Sequence, residues 1–234
     1  MSGERILAID TATEGCSAAL LIGEEIVEQF EVTPRGHTQR ILPMVDQLLA
    51  EAECTLQQLD AIAFDRGPGS FTGLRITAGV VQGLAYGAER PVIPVSSLAA
   101  LASAHFQQHG VANILSGIDA RMGELYWGAF CIDEQGIPQL QGAECVAAVD
   151  SLPLPPSVAG TWNGVGSGWG SDGEALQTRF GASVRQTDAD ALPHAREVAR
   201  LAVHDLLQGK VLAAEEAQPI YLRNNVVHQK RCYV

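Results

Sequence analysis

Three stretches of the chain bring together residue types that could do chemistry. The first is Asp10-Thr11-Ala12-Thr13. A carboxylate and hydroxyls at the end of a strand are the makings of a phosphate loop, which usually carries a glycine where Ala12 stands so that backbone can approach the phosphate closely. Capping of the strand end by Asp10 and Thr11 is the competing reading. The second is Gly67-Pro68-Gly69-Ser70-Phe71-Thr72-Gly73-Leu74-Arg75. Three glycines beside a helix start allow a tight turn with N–H groups aimed at an anion. The run fits neither the P-loop, which needs Lys-Ser/Thr after its second Gly, nor the dinucleotide fingerprint, so a purely structural turn is the alternative. Asp65, beside Arg66, adds negative charge where an anion would sit. The third is His105 and His109, spaced to share one face of a helix as metal ligands do. No third ligand is evident in the sequence, and the exposed end of a surface helix is the expectation for both.

Other candidates are weaker. Ser167 sits between Gly166 and Gly168, but a nucleophile needs a strand and a helix to form its elbow, and an irregular loop is expected there. His37, His194, His204 and His228 are scattered, with nothing marking any as a base. Arg35, His37 and Arg40 enter a segment whose Ile41, Val45 and Leu48 make an apolar stripe; this stripe is a candidate protein-binding face, with core packing as its default reading.

The elements that would position these residues follow from periodicity. Strand-like runs at 5–10, 16–22 and 26–32, separated by short turn sequences, predict an antiparallel meander. A helix is predicted over 38–53, a buried strand over 59–64, a small-residue helix over 74–87, a strand over 91–95, and an Ala-rich helix to 109 capped by Ser96 or Ser97. A second unit opens near 113 with strands at 114–119 and 124–132 and a turn at 133–136. Residues 151–173 are rich in Pro, Gly and Ser and predict long loops around at most one strand. Helical spacing returns over 195–207. Two α/β lobes are expected, at 1–110 and 111–234, with the extreme C-terminus returning onto the first.

Composition narrows the function. The 234 residues are 47% hydrophobic and 18% charged, a globular balance. A net charge of −12 repels phosphate backbones, so any role with RNA needs a partner that supplies positive charge. The five cysteines, Cys16, Cys54, Cys131, Cys145 and Cys232, are odd in number and include no Cys-x-x-Cys pair, against both a disulfide framework and a zinc site. Met1 leads directly into strand-like sequence and no apolar run approaches a membrane span, so cytoplasmic residence is expected.

Five runs carry a resemblance that covers most of the chain: 6–13 (ILAIDTAT), 37–43 (HTQRILP), 66–75 (RGPGSFTGLR), 118–124 (IDARMGE) and 219–223 (PIYLR). In their order and spacing the chain resembles the TsaB (YeaZ-type) family of tRNA threonylcarbamoyladenosine biosynthesis. The resemblance implies an ASKHA (actin/hexokinase-like) α/β fold of two related lobes. It implies a non-catalytic subunit that stabilises a TsaD-type catalytic partner, which places threonylcarbamoyl on the adenosine beside the anticodon of tRNAs reading ANN codons. A TsaE-type ATPase would join the pair, the chain alone would form a homodimer, and tRNA would be met only through the complex. The partner surface would include Arg35, His37, Arg40, Ile41, Val45 and Leu48. TsaD-type proteins carry a His-x-x-x-His metal pair where this chain has Ser97 and Leu101, which implies that no metal is held there. No cofactor is expected beyond, at most, weak ATP or ADP binding through Asp10, Thr11, Gly67, Gly69 and Ser70. Relatives usually have Gly at the place of Asp65. The alternatives are an ATP-dependent kinase of sugar-kinase type built on Asp10 and the Gly67 loop, and a protease or chaperone-like protein, for which no catalytic set is evident.

Overall fold

A computed structural model describes residues 3–158 and 160–223; His228, Cys232 and the segment expected to return on the first lobe from the extreme C-terminus lie outside them. The opening meander is β1 (Arg5–Asp10), β2 (Gly15–Ile22) and β3 (Glu25–Val32), followed by α1 (His37–Glu51), β4 (Ala61–Asp65), α2 (Phe71–Ala88), β5 (Val92–Val95) and α3 (Ser97–His109). The second unit contains β6 (Asn113–Asp119), β7 (Leu125–Ile132), β8 (Pro138–Leu140), β9 (Cys145–Ala147), β10 (Trp162–Val165), α4 (Gly168–Ser171), α5 (Gly173–Phe180), β11 (Val184–Asp188) and finally α6 (Ala195–Leu207).

The strands form two sheets, ordered β3-β2-β1-β4-β5 and β8-β7-β6-β10-β11, with β9 also paired to β7. In each, a three-stranded antiparallel meander is extended by two parallel strands. This repeated wiring is the two-lobed ASKHA plan.

The first sheet is buried on both faces, which explains why its central strands read as continuous apolar runs. Leu7, Ile9, Ile62 and Phe64 meet Ile41, Val45 and Leu48 of α1 and Val81 and Ala85 of α2 on one side. Ile6, Ala8, Ala61 and Ala63 meet Ala195, Val198, Ala199 and Ala202 of α6 on the other. Helix α6, which follows the second sheet in the chain, therefore lies on the first sheet. The second sheet packs Leu115 and Trp127 against Trp169, Leu176 and Phe180 on one face. On its other face Ile114 and Phe130 pack against Leu98 and Leu101 of α3, which thus sits between the sheets.

Two parts differ from expectation. α5 and β11 stand where no regular structure is predicted: α5 is eight residues long and buries only Leu176 and Phe180, while β11 exposes Arg185, Gln186 and Thr187 in succession. Neither carries enough apolar periodicity to be seen in sequence.

Candidate functional site

Parallel pairing of β1 with β4 places Ile9 beside Phe64, so the next residues, Asp10 and Asp65, stand at neighbouring strand ends. Each closes a turn on its own chain. Asp10 Oδ1 accepts the Ala12 N–H at 2.8 Å, and Asp65 Oδ1 accepts the Gly67 N–H and the Ser97 hydroxyl, both at 2.6 Å. Among the described residues, Asp10 Oδ2 and Asp65 Oδ2 have no hydrogen-bond partner, and both side chains are sealed from solvent. Burial, and then the charge of Asp65, hold the Asp10 carboxyl well above the usual carboxylate range. Burial pushes Asp65 up to about 6, against the pull of Ser97 and of the Gly67 N–H.

The glycine-rich turn is locked onto this strand end. A Cβ at Gly69 would lie 2.4 Å from the Ala12 carbonyl oxygen, and one at Gly73 would lie 1.9 Å from that of Thr11. The glycines thus let the N-terminus of α2 press against the backbone after β1. The Ser70 N–H donates to the Ala12 carbonyl at 2.7 Å. The Thr11 hydroxyl donates to the Gly73 carbonyl at 2.8 Å and meets the Thr77 hydroxyl at 2.6 Å. Ser70 caps α2 by accepting the Gly73 N–H.

These contacts correct part of the nucleotide-loop expectation. Asp10 and Thr11 are buried, and Gly67 uses its N–H on Asp65, so none of the three reaches the cleft between the lobes; Gly69 and Ser70 do line it. The N–H groups of Gly67, Ser70 and Gly73 are already bonded within the chain. The Asp10 carboxylate and the N–H groups of Gly67, Ser70 and Gly73, which a kinase would offer to ATP, are used here within the fold.

The cleft itself encloses about 1200 Å³. Two of its arginines come with carboxylates: Arg121 lies 3.2 Å from Asp119 and 3.8 Å from Glu14, and Arg223 bonds Glu124. At its rim the Phe71 ring, with Arg75 stacked over it at 3.8 Å, leans on Tyr221. Arg66 reaches across to Glu144 at 3.1 Å, and Ser96 bonds the same carboxylate, tying the first lobe to the second.

The residues expected to bind a partner divide. Arg35 and Arg40 are exposed, with Arg40 paired to Glu31. Ile41, Val45 and Leu48 are at most 1% exposed and form the core between α1 and the first sheet, so they cannot be the contact surface of the folded chain. His37 is also buried. Its Nε2 contacts the carbonyls of Thr13 and Gly15 at 2.9 and 3.2 Å; as both are acceptors, this nitrogen carries the proton and fixes the β1–β2 turn. The outward face of α1 is instead carried by Leu42, Pro43, Asp46 and Gln47.

Ser97 is buried against Asp65, and Leu101 is 1% exposed in the apolar layer between α3 and the second sheet. Ser167 does lie between a strand, β10, and a short helix, α4, contrary to the loop expected, yet its hydroxyl accepts the Asp119 N–H at 3.1 Å. Neither is His105 at an exposed helix end. It is 4% exposed, bonded to Asn163 at 2.9 Å, and its pKa is lowered, by burial first and by His109 second. Sequence reasoning missed the Asp10–Asp65 pairing, whose only signal is an Asp closing each of two buried strands.

Comparison with known proteins agrees with this architecture. The family model for TsaD, tRNA N6-adenosine threonylcarbamoyltransferase, matches residues 22–230. The tRNA threonylcarbamoyladenosine biosynthesis protein TsaB of Escherichia coli is 43% identical, over 97% of each chain, and that of Haemophilus influenzae is 39% identical over 98% of each. Two solved structures from Pseudomonas aeruginosa superpose well. One, of a protein with similarity to peptidase YeaZ, has a TM-score of 0.88 at 44% identity; the other, of YeaZ, has 0.84 at 42%, and each spans 94% of this chain and all of its own. With the duplicated sheets, the locked glycine turn and this degree of identity along nearly its whole length, the chain belongs to the TsaB family.

Proposed function

We propose that the chain is a non-catalytic subunit of the system that installs threonylcarbamoyl on the adenosine beside the tRNA anticodon, and that it acts by pairing with a TsaD-type catalytic subunit. The observation that carries this reading is the outer face of α2. Gly79, Gly83 and Gly87 recur every four residues inside that helix, and a Cβ added at any of them would meet nothing within 4 Å. Three interior glycines cost the helix about 1 kcal/mol each relative to alanine. Nothing within the described chain requires them, whereas close approach by a helix from another subunit would. α1 packs beside α2, and its exposed Leu42 and Pro43 widen the same face.

The subunit brings no metal or nucleotide of its own to the reaction. Ser97 and Leu101 offer no pair of imidazoles, and any ATP or ADP contact is weak, made at an interface through Gly69 and Ser70. A TsaE-type ATPase joins the pair, two copies associate through the same face when the partner is missing, and tRNA is met only in the complex. The acidic chain, with carboxylates beside Arg121 and Arg223 of its cleft, supports this indirect route to RNA. No described helix is long and apolar enough to cross a membrane, and work in the cytoplasm is part of the proposal.

The test is to mix the purified chain with a TsaD-type subunit on a sizing column. Wild type should co-elute with it. Gly83→Leu and Leu42→Glu should elute alone while staying folded, with melting temperatures no lower than that of wild type. Normal co-elution by both variants would refute the proposed face, and high-affinity binding of ATP with Mg²⁺ by the isolated chain would return the kinase reading.

A further inference from the structure

We propose that His105, His109 and Asp188 bind one divalent transition-metal ion of the zinc class and thereby pin the end of α3 to the end of β11. Candidate ligand atoms of these three residues lie within 4.8 Å of one another. The two imidazoles are one helical turn apart, with ring centroids 4.5 Å apart, and Asp188 arrives from the last strand of the second sheet. Nitrogen and oxygen ligands about 2.0–2.2 Å from a tetrahedral ion sit about 3.3 Å from each other, so the group must contract by roughly 1.5 Å. The residues free to make that movement are the outer ones. His109 is exposed and Asp188 half-buried, whereas His105 is buried and fixed.

The fixed histidine also has a polar partner on its other side. Its Nε2 lies 2.9 Å from Nδ2 of Asn163. Metal binding would turn this amide over, so that its oxygen accepts from Nε2–H and the Nδ1 lone pair is left for the metal, the outer hydrogen bond usual for a metal-bound histidine. Exposure of His109 leaves an entry path, and a fourth position for water. Two imidazoles and one carboxylate suit zinc, cobalt or nickel better than magnesium or calcium, which prefer all-oxygen shells. The site is two turns farther along α3 than Ser97 and Leu101 and uses neither. It is independent of the pairing role proposed above.

The site would join a helix packed between the sheets to the strand at the edge of one of them. α3 packs between the two sheets, while β11 is an edge strand with a largely exposed middle. A metal bridge would restrain both.

The experiment titrates the untagged full chain with Co²⁺ and then Zn²⁺ in competition with a chromophoric chelator. One equivalent should bind, with visible cobalt bands, no thiolate-to-cobalt charge transfer, and a raised melting temperature. His109→Ala and Asp188→Asn should weaken binding at least about 100-fold, since loss of even an outer hydrogen bond costs about 10- to 100-fold. Both should melt like wild type without metal. A thiolate charge-transfer band, undiminished binding in the two variants, or no stoichiometric binding by wild type would each overturn the assignment.

Discussion

Replacing Asp65 with Asn should stabilise the protein, and the gain should depend on pH in a defined way. Burial raises the Asp65 pKa from about 3.8 in an unfolded chain to about 6 in the native one. The folded state therefore holds a proton that the unfolded state has released, and the stability linked to it is fully present below about pH 3.8 and lost as pH rises through about 6. The difference of about 2 pH units, at about 1.4 kcal/mol per unit, is about 3 kcal/mol of stability absent above pH 6. An asparagine keeps Oδ1 as acceptor for Gly67 and Ser97, and its amide can donate toward the unpartnered Oδ2 of Asp10. Asp65→Asn should thus exceed wild type by about 3 kcal/mol near pH 8 and match it near pH 4. Urea unfolding would measure this by far-UV circular dichroism, because Trp127, Trp162 and Trp169 all belong to the second lobe and would report that lobe alone. Equal or lower stability near pH 8, or a gain undiminished near pH 4, would refute the reasoning.

Ile41→Glu should destabilise the chain by more than about 3 kcal/mol, because a carboxylate would be buried without a partner; chemical denaturation checks it. Gly83→Ala should raise the melting temperature of the isolated chain, with a gain of up to about 1 kcal/mol, since its methyl group meets open space. Gly73→Ala should cost at least about 1–3 kcal/mol in the same assay, as its methyl would collide with the Thr11 carbonyl. Ser70→Ala should lose about 1 kcal/mol with the cap of α2, measurable by urea titration.

Much of this architecture is legible in the sequence where one side chain period dominates. β1 and α6 fall on the residues predicted, because a short continuous apolar run closed by a turn and an amphipathic helix leave plain patterns. The apolar stripe of α1 is also legible, but not its direction: periodicity shows that Ile41, Val45 and Leu48 share a face, not that the first sheet consumes that face completely. His105 misleads for a related reason. A histidine near a helix end reads as exposed, and only the second sheet, folding over α3, buries it. The Asp10–Asp65 pair depends on which strands become neighbours, information carried by tertiary pairing and not by either local segment.

The crossing of α6 onto the first sheet has a consequence for synthesis. Until residues 195–207 have left the ribosome, the face formed by Ile6, Ala8, Ala61 and Ala63 stays open to water. The earliest strands made must therefore wait for nearly the latest helix, and a nascent chain stalled after β11 would present a naked greasy sheet to chaperones and proteases.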